Sequence, residues 1–82
     1  MVEMINEKIK VGAVFSGAKI APKWFYWKNK KYDIKQVSYF WDSKKGASNL
    51  KFFSVSADDN LYELCFDTGN MEWKLTKVYM EG

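Results

Sequence analysis

The chain has no histidine and no arginine, and only one cysteine and one proline among its 82 residues. Each absence narrows what it can do. Without histidine it lacks the commonest general base near neutral pH. Without arginine it has no planar fork with which to grip the edge of a guanine or a phosphate in bidentate fashion. Cys65, being alone, forms no internal disulfide and has no second cysteine or histidine with which to share a metal. Small secreted domains usually carry paired cysteines, so the expectation is a cytoplasmic chain with no disulfide, metal or cofactor. No run approaches the ~20 apolar residues of a membrane helix. The short apolar stretch from Val11 to Ala18 contains two glycines and follows Glu3 and Glu7 instead of a basic segment, so neither a signal peptide nor a membrane partner is expected.

What the chain does contain is unevenly distributed. Eight of the fifteen aromatic residues lie between Trp24 and Trp41, interleaved with Lys23, Lys28, Lys30, Lys31 and Lys35. All thirteen basic residues are lysines, and eleven of them fall between Lys8 and Lys51, against only Asp33 and Asp42. From Phe52 onward the balance reverses, with Lys74 and Lys77 against six acids. Such an asymmetry permits a polyanion partner, and it is better explained by strands of opposite charge paired inside one small sheet. A chain of this length is read as one domain, residues 1–82, burying around 60% of its unfolded surface. The aromatic content, at roughly 150–250 Å² per ring, supplies the density such a small core needs.

Short strands separated by turn residues run through the sequence, and no helical period is sustained. Residues 1–8 read as a polar leader that frays. Ile9 to Phe15 reads as a first strand, with Gly12 either weakening it or marking a bulge, and Ser16-Gly17 as a turn. Lys23 to Lys28 is the clearest strand, aromatic on both faces because Trp24 and Tyr26 alternate with Phe25 and Trp27. Asn29 tolerates the positive φ of a tight turn, from which Lys31 to Trp41 returns antiparallel, with a bulge or bend near Gln36 and the alternative of a helical turn over Gln36 to Ser43. Asp42 to Asn49 reads as the longest loop. Leu50 to Ser56, Leu61 to Phe66 and Met71 to Tyr79 follow as strands, joined by turns at Asp58-Asp59-Asn60 and Asp67-Thr68-Gly69-Asn70. The fold expected is all-β: a small, strongly curled antiparallel sheet or partly open barrel of about six strands in meander order.

Pro22, Phe25, Trp27, Lys28, Lys31, Tyr32, Ile34, Val37 and Trp41, followed by Phe53, Val55, Tyr62, Glu63, Leu64, Trp73, Leu75, Val78 and Tyr79, form a pattern. It consists of an aromatic-Trp-basic turn, a Tyr-hydrophobic return strand ending in Trp, and a terminal Trp-x-Leu strand closing on Val-Tyr. It resembles an uncharacterised family of small bacterial all-β domains, found alone or at the C-terminus of proteins similar to Y-family DNA polymerases. The resemblance implies a fold and an association with DNA repair, and no activity. The chain departs from that pattern with Asn29 in place of a turn glycine and with lysine where arginine is common.

Candidate chemistry is sparse. A cysteine nucleophile needs a thiolate-stabilising partner, whereas Cys65 has Glu63 two residues away and reads as an inert strand residue. Asp58, Asp59, Asp67 and Asn70 are explained by turns. The glycines form no phosphate-binding fingerprint. The protein is therefore expected not to be an enzyme. Small β-barrels bind single strands by pairing lysines with phosphates and stacking bases on aromatic rings, each stack worth ~1–3 kcal/mol. Lys23, Trp24, Tyr26, Lys28, Lys30, Lys31, Lys35, Tyr39 and Trp41 could supply both parts, although at least half of these rings are also needed for the core. The alternative is a protein-interaction or self-association module using an exposed aromatic patch or a strand edge near Pro22.

Overall fold

The computed structural model describes residues 1–80, and nearly all of them are in strands: β1 Val2–Ser16, β2 Lys19–Trp27, β3 Lys30–Asp33, β4 Gln36–Lys45, β5 Ser48–Ala57, β6 Asn60–Asp67 and β7 Glu72–Tyr79. They form one antiparallel sheet in the order β3-β2-β1-β7-β6-β5-β4, curled into a half-barrel. The expected class is correct, with seven strands where about six were read.

Local sequence explains most of the turns. Lys28 and Asn29 (φ 52° and 61°) and Asp58 and Asp59 (φ 50° and 62°) both take positive φ in two-residue hairpin loops, the pattern of a type I′ turn. Gly17 and Gly46 take positive φ at the first position of the loops after β1 and β4. After β6 the Asp67 carboxylate accepts the Gly69 N–H at 2.8 Å. The Met71 N–H donates to the Asp67 carbonyl at 2.8 Å and closes that loop.

Four expectations need correction. Residues Val2 to Lys8 are not a frayed leader but the first half of β1, paired with β7 from Val2↔Tyr79 to Lys8↔Lys74. The second half of β1, from Lys10, turns to pair with β2. The single strand expected from Lys31 to Trp41 is two strands at opposite edges of the sheet. Only Ile34 and Lys35 join them, the Ile34 N–H donating to Lys23 on one side and the Lys35 N–H to Ser56 on the other. Because three residue steps reach roughly 10 Å, the two edges must meet at this corner, which is what curls the sheet. Asp42 to Asn49 is not a loop: β4 and β5 extend through it as a hairpin arm that turns at Gly46-Ala47. Gln36 to Ser43 is strand, and the bulge lies at Ser38.

The core fills the concave side. Phe25, Tyr32 and Tyr62 pack at one end, with Phe25 and Tyr32 stacked at 4.9 Å and Tyr62 edge-on to Phe25 at 5.1 Å. Phe53, Phe66 and Trp73 pack at the other, with Phe66 and Trp73 centroids 4.7 Å apart. Val55, Leu64, Leu75 and Val78 lie among the buried residues that complete the core. Between β2 and β4 the half-barrel stays open along a groove of about 520 Å³, lined by Ile20, Ala21, Val37, Phe40 and Phe53 among others.

Candidate nucleic-acid interface

The curl sorts the aromatic segment into separate groups. Phe25 is fully buried and Trp27 and Tyr32 pack against the core, so these three belong to the fold. Trp24 and Tyr26 alternate with them and point outward from β2, where their ring centroids lie 5.5 Å apart in an edge-to-face arrangement. Trp24 pairs with Gly12 of β1, and a Cβ placed on Gly12 would collide with the indole at Cε2, Nε1 and Cζ2. The indole therefore lies against bare backbone, recovering contacts that glycine cannot make for itself. Lys31 of β3 places its Nζ 5.4 Å from the ring centroid of Trp24, in cation-π range. Lys10 of β1 stands directly across from Tyr26, which is 44% exposed. Asp33 pairs with Trp24 and lies 3.7 Å from Lys31.

The remaining lysines serve different purposes. Lys23 is exposed, and it is the extra residue of the β1–β2 bulge, between the pairs Gly12↔Trp24 and Ala13↔Pro22. Lys28, in the hairpin turn, lies 4.7 Å from the Trp27 ring. Lys30 lies 5.0 Å from the Tyr32 ring and bridges to Asp58 at 2.8 Å, tying the β2–β3 turn to the β5–β6 turn. The hydrogen bond to Asp58, and then its charge, raise the Lys30 pKa. Lys35 is exposed at the crossing between β3 and β4. Lys10, Lys23, Lys28 and Lys35 have no ion-pair partner among the described residues.

Tyr39 and Trp41 make no ring contact with that group: Trp41 meets Tyr39 and Phe52, and it also lines the groove opposite Ile20 and Ala21. Tyr39 and Trp41 occupy the outer face of β4, at the other end of the sheet order, and Trp41 stacks on Phe52 of β5 at 5.2 Å with the rings 6° from parallel. With Ser54 and Tyr79 they line an open hollow on that face whose charged member is the Glu63 carboxylate, which repels a phosphate. The structure thus brings together Trp24, Tyr26 and Lys31, adds Lys10 and Gly12 to them, and separates Tyr39 and Trp41. Sequence reasoning missed Lys10 because its place across from Tyr26 depends on the register of β1 against β2. Gly12 is readable from the sequence as an irregular point of β1, and it flanks the bulge whose extra residue is Lys23, but its partner ring is not readable. Cys65 is buried, and burial first, then Asp67, raises its pKa, which leaves it a poor nucleophile.

Among the described residues, no helix is long and apolar enough to cross a membrane. Comparison of the chain with protein-family models, with curated proteins and with solved structures finds no match.

Proposed function

We propose that the protein is a non-catalytic binding module that takes single-stranded nucleic acid on the outer face of β1, β2 and β3. The observation that carries this reading is the Trp24 indole, laid along Gly12 on the outside of the sheet with Lys31 beside it and Tyr26 edge-on. A ring held there offers a stacking surface for an unpaired base at little entropic cost, and the lysines on the same strands meet the phosphates on either side. From Lys8 to Lys35 there are eight lysines and the single Asp33, so this part of the chain carries a field that attracts polyanions. Ammonium groups without arginine forks favour backbone contact over base reading, so the binding is weakly sequence-dependent. The resemblance to domains attached to Y-family polymerase-like proteins fits a role beside exposed single strands.

Fluorescence anisotropy of a labelled oligothymidylate tests the reading. Affinity should fall steeply between low and physiological salt. Trp24→Ala should weaken it by roughly 1–3 kcal/mol, the worth of one stack. Binding that is insensitive to salt, or unchanged in Trp24→Ala, would remove the proposal.

A second reading, a protein partner, is favoured by one observation. Phe40 is 71% exposed on the groove side of β4, whose outer edge pairs with no strand among the described residues and whose segment Val37 to Trp41 carries no charge. An edge of that kind accepts an added strand. The expected edge near Pro22 lies across the same groove, and Pro22 itself is buried. Association there would persist at high salt, which separates it from nucleic-acid binding.

A further inference from the structure

On the outer face of the β4–β7 half of the sheet, register brings Tyr39, Ser54, Glu63 and Lys77 into one row across four strands. Tyr39, Trp41, Ser54, Glu63 and Tyr79 line an open hollow of about 470 Å³. Glu63 is the buried charged side chain of the described residues, only 7% exposed, although it faces away from the core. One carboxylate oxygen accepts the Thr76 hydroxyl at 2.6 Å. The other faces the Lys77 ammonium at 4.0 Å, the outer limit of an ion pair. Thr76 and Lys77 thus partner this carboxylate from β7, and it is the acid among the residues that line the hollow. Ser54, between Tyr39 and Glu63, is small enough to leave the floor of the hollow open.

Three electron-rich rings and a buried carboxylate around one hollow are the features that recognise a weakly hydrated organic cation. We infer that this hollow binds an alkylated ammonium group, its methyls against Tyr39, Trp41 and Tyr79 and its charge toward Glu63. A hard metal ion fits the lining poorly, because such ions take six or more oxygen ligands and only one carboxylate is present. Unmethylated ammonium holds its water more tightly and gains less from the rings. The site stands on residues outside the β1–β3 face and does not depend on nucleic-acid binding there.

The probe is tetramethylammonium chloride, titrated into labelled protein against equal concentrations of sodium chloride, with the Trp41 indole N–H as the reporter. A saturable shift is expected at Trp41 and at the Glu63 amide. Tyr39→Ala, which removes an exposed ring, should weaken it about tenfold. Ser54→Val, which fills the floor while keeping a strand-favouring residue, should abolish it. The neutral carbon isostere 3,3-dimethylbutanol should bind more weakly than choline. A peptide carrying trimethyllysine that binds more tightly than tetramethylammonium would assign the group to a modified protein side chain, and equal affinity would assign it to a free small cation. The proposal is overturned by no saturable shift, by equal binding of the neutral isostere, or by full affinity in both folded variants.

Discussion

At the residue scale, the position of one ring over one glycine has measurable consequences. Strand glycines usually weaken a sheet, so Gly12→Ala in an ordinary setting would be neutral or favourable. Here the new methyl meets the Trp24 indole, and the variant should be destabilised by roughly 1–3 kcal/mol in urea unfolding, with the Trp24 indole resonance displaced. A gain in stability would mean that the ring is not seated on the backbone. Ionisation gives a second residue-scale expectation. Burial pushes the Cys65 thiol and the Tyr62 phenol above their ordinary pKa values. Both groups keep their protons more tightly when folded, so the unfolded chain loses them first as pH rises. Their stabilising contribution is complete below about pH 9 and declines above it. Unfolding measured across the alkaline range should show Cys65→Ala losing less stability above pH 9 than the parent chain, and identical profiles would contradict the assignment.

At the scale of elements, β1 serves two partners. Its first half gives β7 a neighbour and brings Ile5 and Ile9 onto the core, while its second half carries β2. Removing residues 1–8 would leave β7 as an open edge and uncover that side of the core. The truncated chain should lose cooperative thermal unfolding and dispersed amide resonances, whereas a frayed leader would be removed without effect. Within the same strand, Asn6 takes φ 56° at the bulge opposite Thr76. Asn6→Val should cost about 1–3 kcal/mol and Asn6→Gly little, since valine is strained at positive φ. These elements also show which parts of the fold could be read from the chain. The alternations at Phe53 and Val55 and at Tyr62, Leu64 and Phe66 name the core directly, Asn29, Asp58-Asp59 and Gly69 name their turns, and the strand around Phe25, aromatic on both faces, does not say which face is buried. The break at Ile34-Lys35 leaves no such mark, because no glycine or proline makes it. The chain there passes its hydrogen bonds from one sheet edge to the other. The polar residues of 42–49 looked like a loop because a hairpin arm exposed on both faces has no apolar side to show.

For the whole molecule, curvature decides which rings share a face. The sequence places Trp24, Tyr26, Tyr39 and Trp41 in one aromatic and lysine-rich segment. The half-barrel divides them into an outward pair among lysines and an outward pair beside a buried carboxylate. Nothing in local periodicity foretells that division, since it follows from the crossing between β3 and β4 and from the pairing of β1 with β7. One consequence concerns Asp33, the acid that pairs with Trp24 on the proposed nucleic-acid face. Asp33→Asn should tighten oligothymidylate binding a few-fold at low salt, and weaker binding would place the phosphates elsewhere. The most direct test of the account is a backbone and indole NMR titration of labelled protein with a short mixed-sequence single-stranded DNA, at low and then physiological salt. The account predicts shifts confined to Lys10, Gly12, Trp24, Tyr26, Lys31 and their neighbours, reduced by salt, with Tyr39 and Trp41 unmoved. Shifts centred on Tyr39 and Trp41, or no shifts at low salt, would contradict it.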